Sequence, residues 1–326
     1  MLRFHRFAGA CVVGMTVLAM PVVSELQAAK TKVAVWVVAA NNSAPIFVAK
    51  EKGYFEQEGL DVQVSLAPSG PKVIELLHLG EIQFGGGAAA VPILRAIDKG
   101  LKLVMVDDNG GYDRRNPQLG ALVKKGSSIK SLRDLRGKRV AINAFGTHTH
   151  MVMLADVLPA AGLTKDDLTL VELPWSQMAP SVISGAIDVG MVWEPFATNH
   201  PADTEIVSWL REAIPPGDYP QGGYASAINI VNSEFLKKNP NVVEAWHRAY
   251  RKALDYFRQS PRESNEIASK YLKLSVDLLQ KVPYPIYTHD GSVPVGLVQK
   301  TADRMKGLGF LERQLDVSLY VWKPSR

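Results

Sequence analysis

The sequence predicts an α/β protein built as two lobes joined by two crossing segments. Runs rich in β-branched and aromatic residues alternate with helical patterns of about a dozen residues, the order that builds a parallel sheet covered by helices. Two stretches break this alternation, residues 107–118 (DDNGGYDRRNPQ) and residues 214–223 (IPPGDYPQGG), and neither carries a periodic apolar pattern. A chain of 326 residues that is 47% hydrophobic can bury a core for two domains. A chain that crosses twice leaves its first lobe discontinuous. Lobe 1 is therefore expected over residues 30–118 and 225–326, with lobe 2 inserted over residues 119–224.

Residues 1–29 read as a secretory signal peptide. Arg3 and Arg6 open the segment, residues 7–23 are almost wholly apolar, and Ala28 and Ala29 stand just before the first charged strand. No second apolar run of spanning length follows. Cleavage there removes Arg3, Arg6 and Glu25, which lowers the formal charge from +5 to +4. That mild basic balance contains no run that would read as a nucleic-acid surface, and it favours an anionic solute. The one cysteine, Cys11, lies inside the signal, so the mature chain is expected to have no disulfide, thiolate nucleophile or cysteine metal site. Only Phe7 and a basic start precede residues 8–11, too little apolar chain to make Cys11 a lipid anchor.

Taken in order, residues 32–38 (KVAVWVV) form the first strand, and Asn41, Asn42 and Ser43 follow at its carboxyl end, the edge where open α/β sheets bind ligands. Ser43 is expected to cap a helix with Pro45 in its first turn. A strand over 61–66 and a helix over 71–78, with Val73, Leu76 and Leu77 on one face, come next. Residues 82–84 read as a short strand and Gly85-Gly86-Gly87 as a bare turn, which places Gly86, Gly87 and Ala88 at the mouth of a helix running to Asp98. A strand over 101–106 leads into the first break.

Beyond it, residues 119–123 form a strand, and residues 131–137 a short helix feeding residues 139–158 (RVAINAFGTHTHMVMLADVL). Here a short strand turns at Ala144-Phe145-Gly146 into a helix whose Met151, Leu154, Ala155 and Leu158 share one face. Gly146, Thr147 and His148 stand at its mouth, where unpaired backbone N–H groups make an anion seat. Pro159 is expected to kink or end this helix. A strand over 186–192 carries Trp193 and Glu194 to its carboxyl end, Trp193 to close over a ligand and Glu194 to hold an amine or orient a neighbour. After the second break come a strand over 224–231 and a helix from Pro240 with Val243, Trp246, Tyr250, Ala253 and Phe257 on one face.

Three stretches carry a family resemblance: residues 51–62 (EKGYFEQEGLDV), residues 129–140 (IKSLRDLRGKRV), and residues 185–196 with Gly185-Ala186-Ile187-Asp188-Val189 and Trp193-Glu194-Pro195-Phe196. Together with the signal and both breaks, this pattern resembles the solute-binding proteins of ABC importers in the sulfonate, nitrate and taurine group. The resemblance implies the two-lobe type II periplasmic binding protein fold with two crossing segments. It implies a periplasmic monomer that encloses a small solute and is read by the importer's membrane permease subunits. Its binding loops map onto Asn41, Asn42 and Ser43, onto Gly86, Gly87 and Ala88, onto Gly146, Thr147 and His148, and onto Trp193 and Glu194. Two departures stand out: Gly-Gly-Gly-Ala replaces a loop where many relatives place a hydroxyl, and Thr-His-Thr-His puts His148 where a small residue is common.

Binding without chemistry is the expected function, with an aliphatic sulfonate, taurine or a nitrate-like anion as solute. The same fold and role could serve a thiamine pyrimidine precursor, bicarbonate or an aromatic carboxylate. An enzyme on this fold is the distant alternative. Pyrimidine-forming thiamine biosynthesis proteins resemble this family but rely on a cysteine-rich motif, and Ser43, His148 and Asp188 lack a Gly-x-Ser-x-Gly setting. No cofactor and no metal are expected, because His148 and His150, two apart on a helix, diverge.

Overall fold

The computed structural model describes residues 29–207 and 209–324, so residues 1–28 of the expected signal, Cys11 among them, lie outside it. The described strands are, in chain order, β1 (Thr31–Val38), β2 (Leu60–Ala67), β3 (Phe84–Ala89), β4 (Leu103–Asp108), β5 (Gly111–Tyr112), β6 (Leu119–Lys124), β7 (Arg139–Ile142), β8 (Thr169–Glu172), β9 (Val189–Trp193), β10 (Thr204–Val207), β11 (Tyr224–Ala225) and β12 (Ala227–Asn232). They form one sheet in the order β2-β1-β3-β12-β4, a second in the order β10-β6-β9-β7-β8, and a two-stranded ribbon of β5 and β11.

Neither large sheet is purely parallel, which corrects the simplest reading of the alternation. In the first sheet β12 runs against both β3 and β4, and in the second β6 runs against both β9 and β10. The odd strand is in each case the one that follows a break. A chain arriving from a crossing enters the sheet at the edge where its neighbours end, so it must run the other way: Ile228 pairs with Asp108, and Leu119 with Trp193. The carboxyl ends of the parallel strands of both sheets consequently meet the crossings.

Two other expectations change. Gly85, Gly86 and Gly87 are strand, not turn, and lie inside β3 at the centre of the first sheet. A Cβ on Gly86 would stand 2.6 Å from Ile46 Cδ1, and one on Gly87 2.6 Å from Ser43 Oγ. Gly86 and Gly87 let the helix Ala44–Glu51 and the Ser43 before it lie close on the sheet, and Gly85 does the same for Val73 and Leu77 of the helix Gly70–Leu79, a use of glycine that a sequence shares with turns. The second change is at Pro159. The helix opening at His148 continues past it to Ala161, as α over His148–Val152, π over Met153–Val157 and α again over Leu158–Ala161. Proline cannot donate to the carbonyl one turn back, and the wider turn just before it absorbs its ring.

The helix Pro240–Gln259 buries Val243, Trp246, Tyr250, Ala253 and Phe257 against the first sheet. Trp246 stacks on Phe84 of β3 at 4.1 Å and on Phe55 at 4.7 Å between ring centroids, and this side chain ties helix to sheet. On the other side a single apolar cluster runs from Leu94 and Val298 through Tyr112 and Tyr224 to Met151 and Val189, so it spans both sheets. No helix among the described residues is long and apolar enough to cross a membrane.

Candidate functional site

The ribbon of β5 and β11 is where the two breaks meet. The first break contains Gly110-Gly111-Tyr112, the second ends on Gly222-Gly223 with Tyr224 just after it, and the two strands pair antiparallel with Tyr112 opposite Tyr224. A side chain at Gly111 would collide with Tyr219 and the Tyr224 carbonyl, and one at Gly223 with the Tyr112 carbonyl, so the close pairing demands glycine. Ile286 adds a third segment through backbone bonds of 2.8 and 2.9 Å with Gly111.

Against this ribbon four rings come together. Tyr112 and Tyr224 lie 5.2 Å apart, and His148, at the start of the helix that follows β7, and Trp193, at the end of β9, complete the group. His148 stands edge-on to Tyr112, Trp193 and Tyr224 at 5.8, 5.8 and 5.2 Å, and Trp193 edge-on to Tyr112 at 5.4 Å. The Tyr112 hydroxyl and His148 Nε2 are 2.8 Å apart, whereas His148 Nδ1 is buried with no hydrogen-bond partner among the described residues. Burial, with help from the nearby Arg304 guanidinium, lowers the His148 pKa to about 4, so the imidazole is neutral at physiological pH. Tyr224 donates its hydroxyl hydrogen to Asp156, which also pairs with Arg304 at 3.4 Å. Arg304 comes from the helix Val295–Gly307, so this contact joins the two halves a second time.

The remaining expected residues surround the group unequally. Asn41 donates to the Gln118 side-chain oxygen at 3.3 Å, and the Gln118 carbonyl accepts from Glu194 N–H at 3.1 Å, so Gln118 links the first expected loop to the last. Ser43 does not cap its helix; its hydroxyl donates to the Val38 carbonyl at 2.9 Å. Asn109 turns its amide so that the nitrogen meets the Asn42 carbonyl at 2.7 Å and the oxygen meets Gly87 N–H at 2.9 Å. Gly86 and Ala88 are buried in β3, behind this layer.

At the other mouth Gly146 N–H donates to His150 Nδ1 at 2.9 Å, and the Gly146 carbonyl accepts from Arg95 at 3.4 Å. Thr147 caps its helix, its Oγ1 lying 3.5 Å from His150 N and its hydroxyl facing the Ala144 carbonyl at 2.7 Å. Glu194 is buried and accepts from Thr198 N–H at 3.1 Å, and burial raises its pKa. The amides of Gly87 and Gly146, which the sequence offers to an anion, are thus already bonded within the protein. Two surface depressions, one around Arg133, Arg136 and residues 159–163 and one around Asn241, His247 and Arg251, lie away from the rings.

Comparison with known proteins gives this arrangement a family. A sequence model described as NMT1/THI5 like matches residues 40–264. The chain belongs to the NMT1/THI5-like family. Among relatives of this NMT1/THI5-like chain, a protein of Brucella abortus (strain 2308) described as a binding protein is 28% identical over 284 residues, covering 84% of each chain. The 4-amino-5-hydroxymethyl-2-methylpyrimidine phosphate synthase THI13 of Saccharomyces cerevisiae is 29% identical over 232 residues, 67% of this chain and 64% of that one. Among solved structures, the periplasmic aliphatic sulphonate binding protein SsuA from Escherichia coli superposes with a TM-score of 0.73 at 20% identity, covering 90% of this chain and 97% of that one. The fold is the two-lobe periplasmic binding protein fold.

Sequence reasoning missed Tyr112 and Tyr224 of this NMT1/THI5-like chain, because both lie in or beside segments set aside as pattern-free. The signal that finds them is the repeated Gly-Gly-Tyr, one copy inside the first break and one straddling the end of the second.

Proposed function

We propose that this chain is the solute-capturing component of an ABC importer. It works as a periplasmic monomer after removal of its signal, encloses a small solute between lobe 1 (30–118 and 225–326) and lobe 2 (119–224), and presents the closed form to the membrane permease subunits. The observation that carries the reading is the ring group of Tyr112, His148, Trp193 and Tyr224, contributed by both crossings and by the second sheet where strand ends meet. Parting the sheets would open the group, and closing them would shut it over a ligand. The reading is one of capture, not catalysis: His148 Nε2 faces a tyrosine and the Ser43 hydroxyl faces a carbonyl, so neither makes a nucleophile–base pair with the other.

Of the solutes the sequence left open, the uncharged planar one, a thiamine pyrimidine precursor, suits this site better than an anion such as an aromatic carboxylate, an aliphatic sulfonate, nitrate or bicarbonate, or the zwitterion taurine. Ring faces and edges bind planar groups, whereas a buried anion needs free amides or an unpaired cation. The Gly87 and Gly146 amides are already bonded, and Arg304 is paired with Asp156.

A thermal-melt panel of the purified chain tests the proposal. A solute at about a hundredfold over its Kd adds roughly 2.7 kcal/mol to the native state. Stabilisation by a pyrimidine, abolished in Trp193→Ala, is the expected result. Stabilisation only by an aromatic carboxylate, taurine, alkanesulfonates, nitrate or bicarbonate would overturn the uncharged planar class and keep the capture role, and turnover of a bound compound would overturn capture itself.

A further inference from the structure

The ring group holds one polar atom that the fold leaves unanswered, His148 Nδ1, and its hydrogen bonding settles which kind of atom it wants. The buried Tyr112 hydroxyl has a single partner among the described residues, His148 Nε2 at 2.8 Å. Were Nε2 the donor, both the Tyr112 hydrogen and the Nδ1 lone pair would go unmet, whereas donation from Tyr112 to Nε2 leaves only Nδ1 unmet, so Tyr112 donates and Nε2 accepts. The imidazole is neutral and carries one proton, which must then sit on Nδ1. That N–H is a buried donor without an acceptor, in a structure whose buried polar groups are otherwise largely paired.

The surroundings say what can meet it. Trp193 and Tyr224 stand at 89° and 86° to the imidazole plane, so aromatic surface flanks the ring. The Arg304 guanidinium lies 5.6 Å from the Tyr224 ring centroid and is matched by Asp156, so it supplies no uncompensated charge to an ionised ligand.

We infer that His148 sets the specificity of this site: Tyr112 fixes its imidazole with the proton on Nδ1, and that N–H donates to an in-plane acceptor, a ring nitrogen or carbonyl oxygen, of a planar uncharged solute. The inference rests on the reading that the solute lies against these four rings. A buried donor rejects an analogue that lacks the acceptor, because binding it would seal the donor away from water unpaired.

The test has a spectroscopic arm and a binding arm, both on the whole chain. Two-bond proton–nitrogen correlation on 15N-labelled protein at neutral pH is expected to show His148 protonated at Nδ1 and bare at Nε2, with Tyr112→Phe releasing that preference. Titration with 4-aminopyrimidine and with aniline, alike in shape but differing in ring nitrogens, is expected to favour the former by about tenfold or more. The preference disappears in His148→Phe and shrinks in Tyr112→Phe. A proton on Nε2 in the wild type, or equal affinity for the two compounds, overturns the role of His148 while leaving the planar solute in place. Binding of neither compound overturns it together with the planar-solute reading beneath it. The spectroscopic arm needs no variant, so it stands even if the His148→Phe chain fails to fold.

Discussion

Replacing Asp108 with asparagine is expected to remove a pH dependence of stability. Asp108 ends β4, is fully buried, and ties three segments together: its Oδ1 accepts from Gly110 N–H at 3.0 Å and from the Tyr219 hydroxyl at 2.7 Å, and its Oδ2 from Thr288 N–H at 2.7 Å. Burial outweighs these bonds and raises its pKa from 3.8 to about 6. A carboxyl whose folded pKa is raised holds its proton more tightly in the native state. Its contribution is therefore fully present below the unfolded pKa and is lost as pH rises through about 6. A shift of about two units is worth about 3 kcal/mol. Because the unfolded carboxyl is already more than half ionised at pH 4, about 2.5 kcal/mol of that loss falls between roughly pH 4 and pH 7.5. Asparagine does not titrate, and every other group is shared by the two proteins and cancels. Urea unfolding of both chains across that range should show the asparagine variant gaining on the wild type by about 2.5 kcal/mol, whatever its constant offset. Curves that stay parallel within about 0.5 kcal/mol would refute the assignment of a raised pKa to Asp108.

Two further outcomes follow from the same geometry. Gly87→Val should lower stability by about 2 kcal/mol or more in urea, because Gly87 has φ of 70° and its new Cβ would stand 2.6 Å from Ser43 Oγ, so position 87 reports on folding before it reports on binding. Asp156→Ala should lower stability by about 2–3 kcal/mol by stranding both Arg304 and the Tyr224 hydroxyl, and adding Arg304→Met should restore a good part of it in thermal melts; strictly additive losses would contradict the pairing.

Much of the architecture was legible because burial writes itself into periodicity. The helix Pro240–Gln259 and the alternation of strands and helices could be read directly, since an apolar face at helical spacing has one economical explanation. Strand direction could not be read, for β6 and β12 have the same apolar composition whichever way they run. The glycines of β3 were ambiguous because close packing under the helix Ala44–Glu51 and a tight turn both call for a missing side chain. At the site, Trp193 and His148 could be named from their places beyond strand ends. The donor state of Gly87 and Gly146 could not, since it depends on Asn109 and His150 reaching them through the fold. Tyr112 escaped notice for the opposite reason, because its segment carries no periodic pattern, and Tyr224 because it was read only as the start of a strand; what links them is the repeat.

The place of β12 also sets the order in which this protein can be made. β12 sits between β3 and β4, and among the described residues β4 has no other strand partner, apart from a bridge between Met105 and Val321 near the end of the chain. Roughly 120 residues of other structure must be synthesised after β4 before its neighbour exists, and the ordering cost of so long a closure is met only when those late contacts form. Until then Leu103 and Met105 stand on an unpaired apolar edge, the kind of surface that recruits other chains. A nascent chain cut short before residue 227 therefore lacks the strand that joins β4 to its first sheet.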